Sequence, residues 1–153
     1  MTPVTDEHGL PKPIGWYLKE ADQLITAFFD DAFDRHCITR YHWMVLRTIA
    51  SKSYINVDAH HEQVKYFLSL KRLNGIIDNL DTRGWIKANE NKNYQFTDAG
   101  KRLYDAVNHA YEKQLLLMMQ GVTEEDYNHV IDTLDRIITN LNKKVSIELK
   151  ESN

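Results

Sequence analysis

Residues 80–100, LDTRGWIKANENKNYQFTDAG, change their structural preference three times within a short stretch. The segment leaves a helical pattern at Gly84, passes through two β-prone runs around a polar loop, and reaches Thr97, which can cap a new helix. Residues 85–88 and 94–96 are therefore predicted to form a small β-hairpin between two helices. Because few architectures place so short a hairpin between helices, this stretch limits the fold more than any other part of the sequence.

Four helices are predicted before the hairpin. Apolar residues recur at steps of three and four over residues 14–35, which predicts one long amphipathic helix. Thr39 is expected to cap a second helix that ends near residue 51, and Ser69 to cap a fourth that ends near Gly84. The predicted inner face of the fourth helix consists of Leu70, Leu73, Ile76, Ile77 and Leu80.

The third helix is the least regular of the four. Asp58 is expected to cap it, and it is predicted to run to about residue 67. The side chains available for burial in it are Ala59, Val64, Tyr66 and Phe67.

Two long helices are predicted after the hairpin, one from Thr97 to about residue 120 and one that begins at Thr123. The last helix carries apolar residues at alternating steps of four and three over residues 127–145, which is a heptad seam. Such a seam requires a partner helix, and the run LLLMM at residues 115–119 requires contacts from more than one direction. The first and fifth helices are possible partners within the chain, and a second copy would supply the remaining contacts, so we expect a homodimer.

The charge is unevenly distributed along the chain. Residues 38–102 contain eleven basic and six acidic residues, whereas the whole chain has a net charge of −3. A basic middle between acidic ends is typical of an anion-binding module carried on a separate scaffold, although charge also fluctuates by chance. We therefore divide the chain into an extended arm (1–13), a helical dimerisation region (14–37 and 103–146) and a basic module (38–102).

Three helices followed by a small hairpin form a winged helix-turn-helix, in which one helix enters the DNA major groove. The predicted fold is mainly α with a small β-hairpin: a winged helix-turn-helix flanked by N- and C-terminal dimerisation helices. The fourth helix is the candidate recognition helix, because Lys and Arg donate to phosphates or guanine, Asn pairs with adenine, and Gly permits close approach. The predicted DNA-binding residues are Ser69, Lys71, Arg72, Asn74, Gly75, Asn79 and, in the hairpin loop, Lys92. The alternative for Lys71 and Arg72 is a solvated helix end.

Three segments, ITRYHWMVLRTIA, LNGIIDNLDTRGWIK and FTDAGKRLYDAV, resemble the MarR (multiple antibiotic resistance regulator) family of bacterial transcription factors. The likeness covers about residues 14–142. It implies a homodimer that binds a pseudo-palindromic operator and is released by a small molecule, often an aromatic acid, or by oxidation or a metal. Two features depart from the family: the loop ANENKNY is shorter and lacks its arginine, and Glu62 and Gln63 replace an apolar pair.

The resemblance suggests an effector pocket at the junction of scaffold and module. The candidate ligand-binding residues are Trp16, Phe28, His42, Trp43 and Arg47. Aromatic residues at helical spacing more often form core, which is the alternative. Cys37 is either a redox-sensitive thiol or a small buried apolar group, and His36, Cys37 and His42 make an incomplete metal set, so no metal or other cofactor is expected.

Enzymatic activity is not expected, because the sequence has no glycine-rich phosphate loop and no nucleophile motif. Its longest apolar run is too short to span a bilayer, no signal peptide is expected, and a single cysteine fits a reducing cytoplasm. The sequence thus predicts a cytoplasmic, ligand-responsive, homodimeric DNA-binding transcriptional regulator, a repressor rather than an activator. The alternative is a helical dimer whose winged helix is a protein-interaction module without operator binding.

Overall fold

The computed structural model describes Thr5, residues 8–91 and residues 93–151, the last seven of these as backbone only. Its elements follow the order α1 (Ile14–Asp34), α2 (Arg40–Lys52), α3 (Val57–Val64), α4 (Leu70–Thr82), β1 (Ile86–Ala88), β2 (Tyr94–Phe96), α5 (Asp98–Met118) and α6 (Glu124–Glu151). The predicted fold, mainly helical with one small hairpin, is confirmed. Part of the predicted N-terminal arm, residues 1–4, 6 and 7, lies outside the described residues.

The chain forms two compact units, residues 1–114 and residues 115–153. The core of the first unit lies where α2, α4 and the hairpin pack together, and it includes a buried residue of α5. Its side chains are almost wholly inaccessible to water and include Leu46, Ile49, Leu73, Leu80, Ile86 and Val107. Burial of these aliphatic groups is the main force that holds the winged module together.

The hairpin is joined tightly to the start of α5. Ile86 pairs with Phe96 and Ala88 with Tyr94 in antiparallel register. The Thr97 hydroxyl accepts a hydrogen bond from the Gly100 N–H (3.1 Å) and donates one to the Gly84 carbonyl (2.5 Å), so this predicted cap also fastens the hairpin root. A Cβ on Gly100 would lie 1.7 Å from the Trp85 carbonyl oxygen, so only glycine fits there.

A second tether joins the hairpin to the segment before α3. Ile55 and Tyr94 exchange two backbone hydrogen bonds of 2.9 Å each. The Asn56 side-chain amide also donates to the Asn93 side chain at 3.0 Å. The hairpin is therefore bonded both to the start of α5 and to the segment before α3, and these bonds fix the position at which α3 begins.

The prediction for α3 was wrong in its cap, in its end and in three of its four inward residues, whereas Val64 is buried as predicted. Asn56, not Asp58, is the N-cap, and its side chain accepts a hydrogen bond from the Ala59 N–H at 3.0 Å. The buried positions are His60 and Val64, followed by Leu68 beyond the helix. These residues are spaced by four, so they lie on one face and leave Ala59, Glu62 and Gln63 exposed.

Two apolar residues expected inside are therefore outside. Tyr66 is 83% exposed and Phe67 59% exposed in the turn between α3 and α4. Leu70 at the start of α4 is also exposed, contrary to prediction, because it precedes the first inward turn of that helix. The remaining predicted inner residues of α4 are buried.

The second unit contains the end of α5 and helix α6. Thr123 and Asp126 form a reciprocal cap at the start of α6: Asp126 N–H donates to the Thr123 hydroxyl (3.0 Å) and Thr123 N–H donates to the Asp126 carboxylate (3.1 Å). The predicted seam of α6 is largely exposed at Tyr127, Ile131, Ile138 and Leu141. None of the described helices is both long and apolar enough to cross a bilayer.

Candidate nucleic-acid interface

Helix α4 has one buried face and one exposed face. Ser69 caps the helix by accepting a hydrogen bond from the Arg72 N–H at 3.3 Å, and Leu73, Ile77 and Leu80 anchor the buried face. At 100° per residue, Lys71, Gly75 and Asp78 lie opposite the core, whereas Arg72 and Asn79 share one flank and Asn74 lies on the other. All six residues are exposed. The exposed face therefore offers donors and an acceptor along its whole length.

Arg72 is held by an aromatic residue of α2. Its guanidinium carbon lies 4.5 Å from the centre of the Tyr41 ring. Arg40 contacts the same tyrosine, with its guanidinium carbon 5.0 Å from the ring centre and a hydrogen bond of 3.1 Å to the hydroxyl. Arg40 is in turn fixed by a hydrogen bond of 2.7 Å to Thr26 of α1. Arg40 also pairs with Asp22 of α1 at 3.6 Å, so Arg72 supplies most of the positive charge on this flank.

Asn79 is linked to α2 rather than pointing freely outward. Its side-chain oxygen lies 3.2 Å from His42 Nε2. The backbone N–H of Thr39 donates to His42 Nδ1 at 3.2 Å, so Nδ1 is the acceptor and the neutral ring carries its proton on Nε2. Burial lowers the pKa of His42 below its ordinary value of 6.5, with a smaller contribution from the charge of Arg83, while the bond to Asn79 opposes this shift. His42 therefore connects the start of α2 to the C-terminal half of α4.

Arg83 makes a further connection at the end of α4. Its guanidinium donates to the Cys37 carbonyl oxygen at 2.8 Å and lies 4.7 Å from the Trp85 ring centre. Cys37 has a left-handed backbone conformation (φ 52°) in the α1–α2 turn, and its side chain is exposed rather than buried. The alternative of a small buried apolar group is therefore wrong for this thiol.

The β1–β2 hairpin forms the wing, which is short. Hydrogen bonds among asparagines stabilise its loop. Asn89 Oδ1 accepts hydrogen bonds from the N–H groups of Asn91 (3.0 Å) and Asn93 (3.1 Å). Lys87 is exposed on β1. Lys92, the predicted contact of the wing, lies outside the described residues.

Two of the five candidate ligand-binding residues line one pocket. Trp43 and Arg47 border a pocket of about 360 Å³, together with Thr48, Lys52 and Gln63. Trp43 is 4% exposed and stacks on Tyr104, and its indole N–H is buried with no hydrogen-bond acceptor among the described residues. Arg47 is exposed, with its guanidinium carbon 5.5 Å from the Tyr111 ring centre.

The other three candidates do not line this pocket. Trp16 is half-buried near the start of α1, where Lys12 Nζ lies 3.5 Å from its ring centre. Phe28 is 39% exposed and contacts Phe29 edge to face. His42 uses both ring nitrogens in the contacts to Thr39 and Asn79. Among the described residues, no group of three or more His, Cys, Asp or Glu side chains could hold a metal ion.

Solved structures identify this arrangement of helices and hairpin. A MarR-family transcriptional regulator from Rhodococcus sp. RHA1 superposes with a TM-score of 0.71 at 20% identity, covering 81% of this chain and 92% of the other. NadR in complex with 4-hydroxyphenylacetate gives a TM-score of 0.71 at 17% identity, covering 86% and 98%. This chain has the MarR fold. A mutant MarR from E. coli in complex with operator DNA matches with a TM-score of 0.69 at 17% identity, covering 82% and 93%.

The MarR fold is recognised from the three-dimensional structure and not from overall sequence similarity. No protein-family model matches the sequence, and no curated protein matches it. Sequence reasoning located the exposed residues of α4 but missed Tyr41 and Arg40, which hold Arg72 from a different helix. The run of Arg40 and Tyr41 directly after the Thr39 cap was the available signal, because a first-turn side chain of α2 can reach a neighbouring helix.

Proposed function

We propose that this protein is a homodimeric, ligand-responsive transcriptional regulator that binds double-stranded DNA through α4 and acts as a repressor in the cytoplasm. Two copies of α4 would enter successive major grooves about one helical turn apart. A ligand would change their separation and so the affinity for the operator.

The observation that carries this proposal is the exposed face of α4. Lys71 lies on the side of α4 opposite the core. Arg72 lies on the flank of the helix, where its guanidinium contacts the Tyr41 ring. A guanidinium fixed in place loses less side-chain entropy on binding phosphate or guanine than a mobile one. The surrounding module, residues 38–102, is the basic part of an otherwise acidic chain. The MarR structure in complex with operator DNA provides a precedent for the same fold on DNA.

The exposed apolar residues of the long helices support a dimer. On α6, Val130, Ile138 and Leu141 are each more than half exposed, and on α1 Leu24 is 60% exposed. Leu116 and Leu117 near the end of α5 are 75% and 65% exposed. Apolar surface on this scale is costly in water, and a second copy of the chain would cover it.

The pocket beside Trp43 supports a small aromatic acid as the effector. Arg47 supplies a positive charge, and the pocket has room for one aromatic ring. A carboxylate placed beside Arg47 would accept from its guanidinium, and the ring would lie against apolar surface. NadR, which shares the fold, has been crystallised with 4-hydroxyphenylacetate.

Fluorescence anisotropy on genomic duplex fragments, repeated from low to physiological salt, tests the proposal. We expect tight binding to a few fragments that persists at physiological salt, with a dimer by sedimentation. Replacing Lys71 and Arg72 together by Ala should abolish this binding while circular dichroism and oligomeric state stay unchanged, and Lys19→Ala on α1 is the matched control. Binding that is equal for all fragments and vanishes with salt would refute sequence-specific regulation.

The exposed pair Tyr66 and Phe67 favours the second candidate function, a protein-interaction module. Both rings lie directly before α4, where a DNA-binding surface would normally be polar. If the chain does not bind any duplex, replacing both by Ser should abolish capture of a protein partner without changing the fold. If the chain does bind a duplex, an unchanged DNA affinity in this variant would show that Tyr66 and Phe67 lie outside the DNA interface.

A further inference from the structure

The pocket beside Trp43 has two cations and no anion among the residues that line it. Arg47 and Lys52 both line it, and its other lining residues are uncharged. In the part of the chain that the structure describes, neither of these side chains forms an ion pair. A ligand with a single carboxylate neutralises only one of the two charges, so the pocket would keep a second positive charge without a partner.

The two cations mark different ends of the pocket. A smaller pocket of about 100 Å³ adjoins it, and the two pockets share Thr48, Lys52 and Gln63, whereas Trp43 and Arg47 line only the larger one. Lys52 therefore lies at the end next to α3, and Arg47 lies away from that end. Along α2 the two positions are five residues apart, which is about 7.5 Å of helix rise. Two acidic groups on one ligand match this separation better than one does.

The pocket also suits a single aromatic ring. Met44 and Thr48, both half-buried and one turn apart on α2, contribute a thioether and a methyl group to its lining. A thioether makes favourable contacts with aromatic rings. Because a cavity of about 150 Å³ can hold a benzene ring, a pocket of about 360 Å³ has room for one ring with an acidic group at each end.

We propose that the pocket beside Trp43 selects an aromatic dianion, a single ring that carries two acidic groups at opposite ends. One acidic group accepts hydrogen bonds from the Arg47 guanidinium. The other lies against the Lys52 ammonium, where the Gln63 amide also donates to it. This inference rests on the proposed effector pocket and extends it, because it assigns Lys52 as the group that distinguishes a diacid from a monoacid.

A ligand bound in this way would bridge two helices of the winged module. Arg47 and Lys52 belong to α2, and Gln63 belongs to α3. Helix α3 begins after Asn56, whose side chain donates a hydrogen bond to Asn93 beside the wing. The second acidic group therefore adds a contact to the helix that is fixed to the wing, and the first acidic group does not make that contact.

The test compares three probes on the intact protein without DNA. Terephthalate carries carboxylates at opposite ends of its ring, its monoamide replaces one of them by a neutral amide of similar shape, and phthalate carries both on adjacent carbons. The reporter is the NMR signal of the Met44 methyl group, assigned from Met44→Leu, because an aromatic ring in the pocket shifts it. At slightly alkaline pH and constant ionic strength, terephthalate should bind about fivefold more tightly than either of the other probes.

Variants of the two cations test their roles separately. In Lys52→Gln, terephthalate and its monoamide should bind equally, and the affinity for the monoamide should match that of the unmodified protein. Arg47→Gln should also remove the preference for terephthalate, because the ligand again meets only one cation. Lys19→Gln, at an exposed lysine of α1 outside the pocket, is the control and should keep the full preference. Circular dichroism checks that each variant is folded.

Four results would contradict the inference. If terephthalate and its monoamide bind the unmodified protein equally, Lys52 does not contact a second acidic group. If phthalate binds as tightly as terephthalate, only the charge of the ligand matters and not the separation of the cations. If the preference persists in Lys52→Gln, the second acidic group binds elsewhere. If none of the probes shifts the Met44 signal, the effector pocket is refuted together with this inference, whereas operator binding is measured separately by anisotropy and is not affected by that result.

Discussion

Two glycines of the winged module, one on its inner side, where the core packs, and one on its outer side, which faces solvent, differ in what surrounds them. On the inner side, Gly100 lies so close to the Trp85 carbonyl that a single added carbon would overlap it. On the outer side, a Cβ on Gly75 would meet nothing within 4 Å, although this glycine lies in the middle of α4. Packing requires Gly100, whereas no contact among the described residues requires Gly75.

This difference separates a glycine that packing requires from a glycine that the described residues do not pack against. A glycine inside a helix costs about 1 kcal/mol relative to alanine, and no contact in the described chain offsets that cost at Gly75. Arg72 is similar, since the chain positions it against Tyr41 without burying it. The packing of the described residues therefore does not explain why position 75 is a glycine.

The largest expected effect is on the inner side. Gly100→Ala should destabilise the protein by about 3 kcal/mol or more, because the Trp85 carbonyl is backbone and cannot move aside without disturbing the hairpin. Denaturant unfolding measures this change, and Gly15→Ala in the exposed part of α1 is the control. If Gly100→Ala were as stable as the control, the close approach of Gly100 to the Trp85 carbonyl would not constrain the fold.

The next effect belongs to the outer side and rests on the proposed function. Arg72→Ala should weaken operator binding by about 1–3 kcal/mol while stability changes by less than about 0.5 kcal/mol. Arg72→Lys should not restore the affinity, because an ammonium lacks the planar fork and the stacking surface that Tyr41 holds. Anisotropy at fixed salt measures both variants. Full recovery with lysine would mean that only the charge matters.

The sequence predicted the helix order, the hairpin and the exposed face of α4 because these depend on local periodicity and on Gly, Ser and Thr at helix ends. It failed at α3, where Asn56 and Asp58 can each cap a helix and where a histidine occupies an inward position that periodicity reserves for an apolar residue. Contacts between distant residues, such as His42 with Asn79, could not be predicted, because sequence spacing does not fix which side chains meet across two helices.

His60 is a buried polar residue on the inner side, where the other buried side chains are apolar. Its titration makes the free energy of unfolding depend on pH. Burial, reinforced by the charge of Lys52, lowers its pKa below the ordinary value of 6.5. The unfolded chain therefore binds more protons than the folded chain below about pH 6.5, and the free energy of unfolding should fall as pH falls through this range. The decrease for one histidine stays below about 1.4 kcal/mol per pH unit.

Unfolding of His60→Leu over the same pH range provides the comparison, in phosphate-free buffer. This variant should show a shallower decrease, and the remaining slope should include His42, whose pKa is also lowered by burial. If the two proteins lose stability in parallel, the ring of His60 does not titrate differently in the folded and unfolded states.

The smallest expected effect is the sharpest test of the comparison. Gly75→Ala should raise the free energy of unfolding by about 1 kcal/mol, because it removes the helix penalty without a steric cost. The same methyl group should weaken operator binding if α4 lies against DNA, because it occupies the space into which a phosphate or base edge would move. Stability and affinity would then change in opposite directions, which a purely structural role cannot produce. A variant that gains stability and binds DNA as tightly as before would place the DNA contact on the Arg72 flank of the helix and away from Gly75.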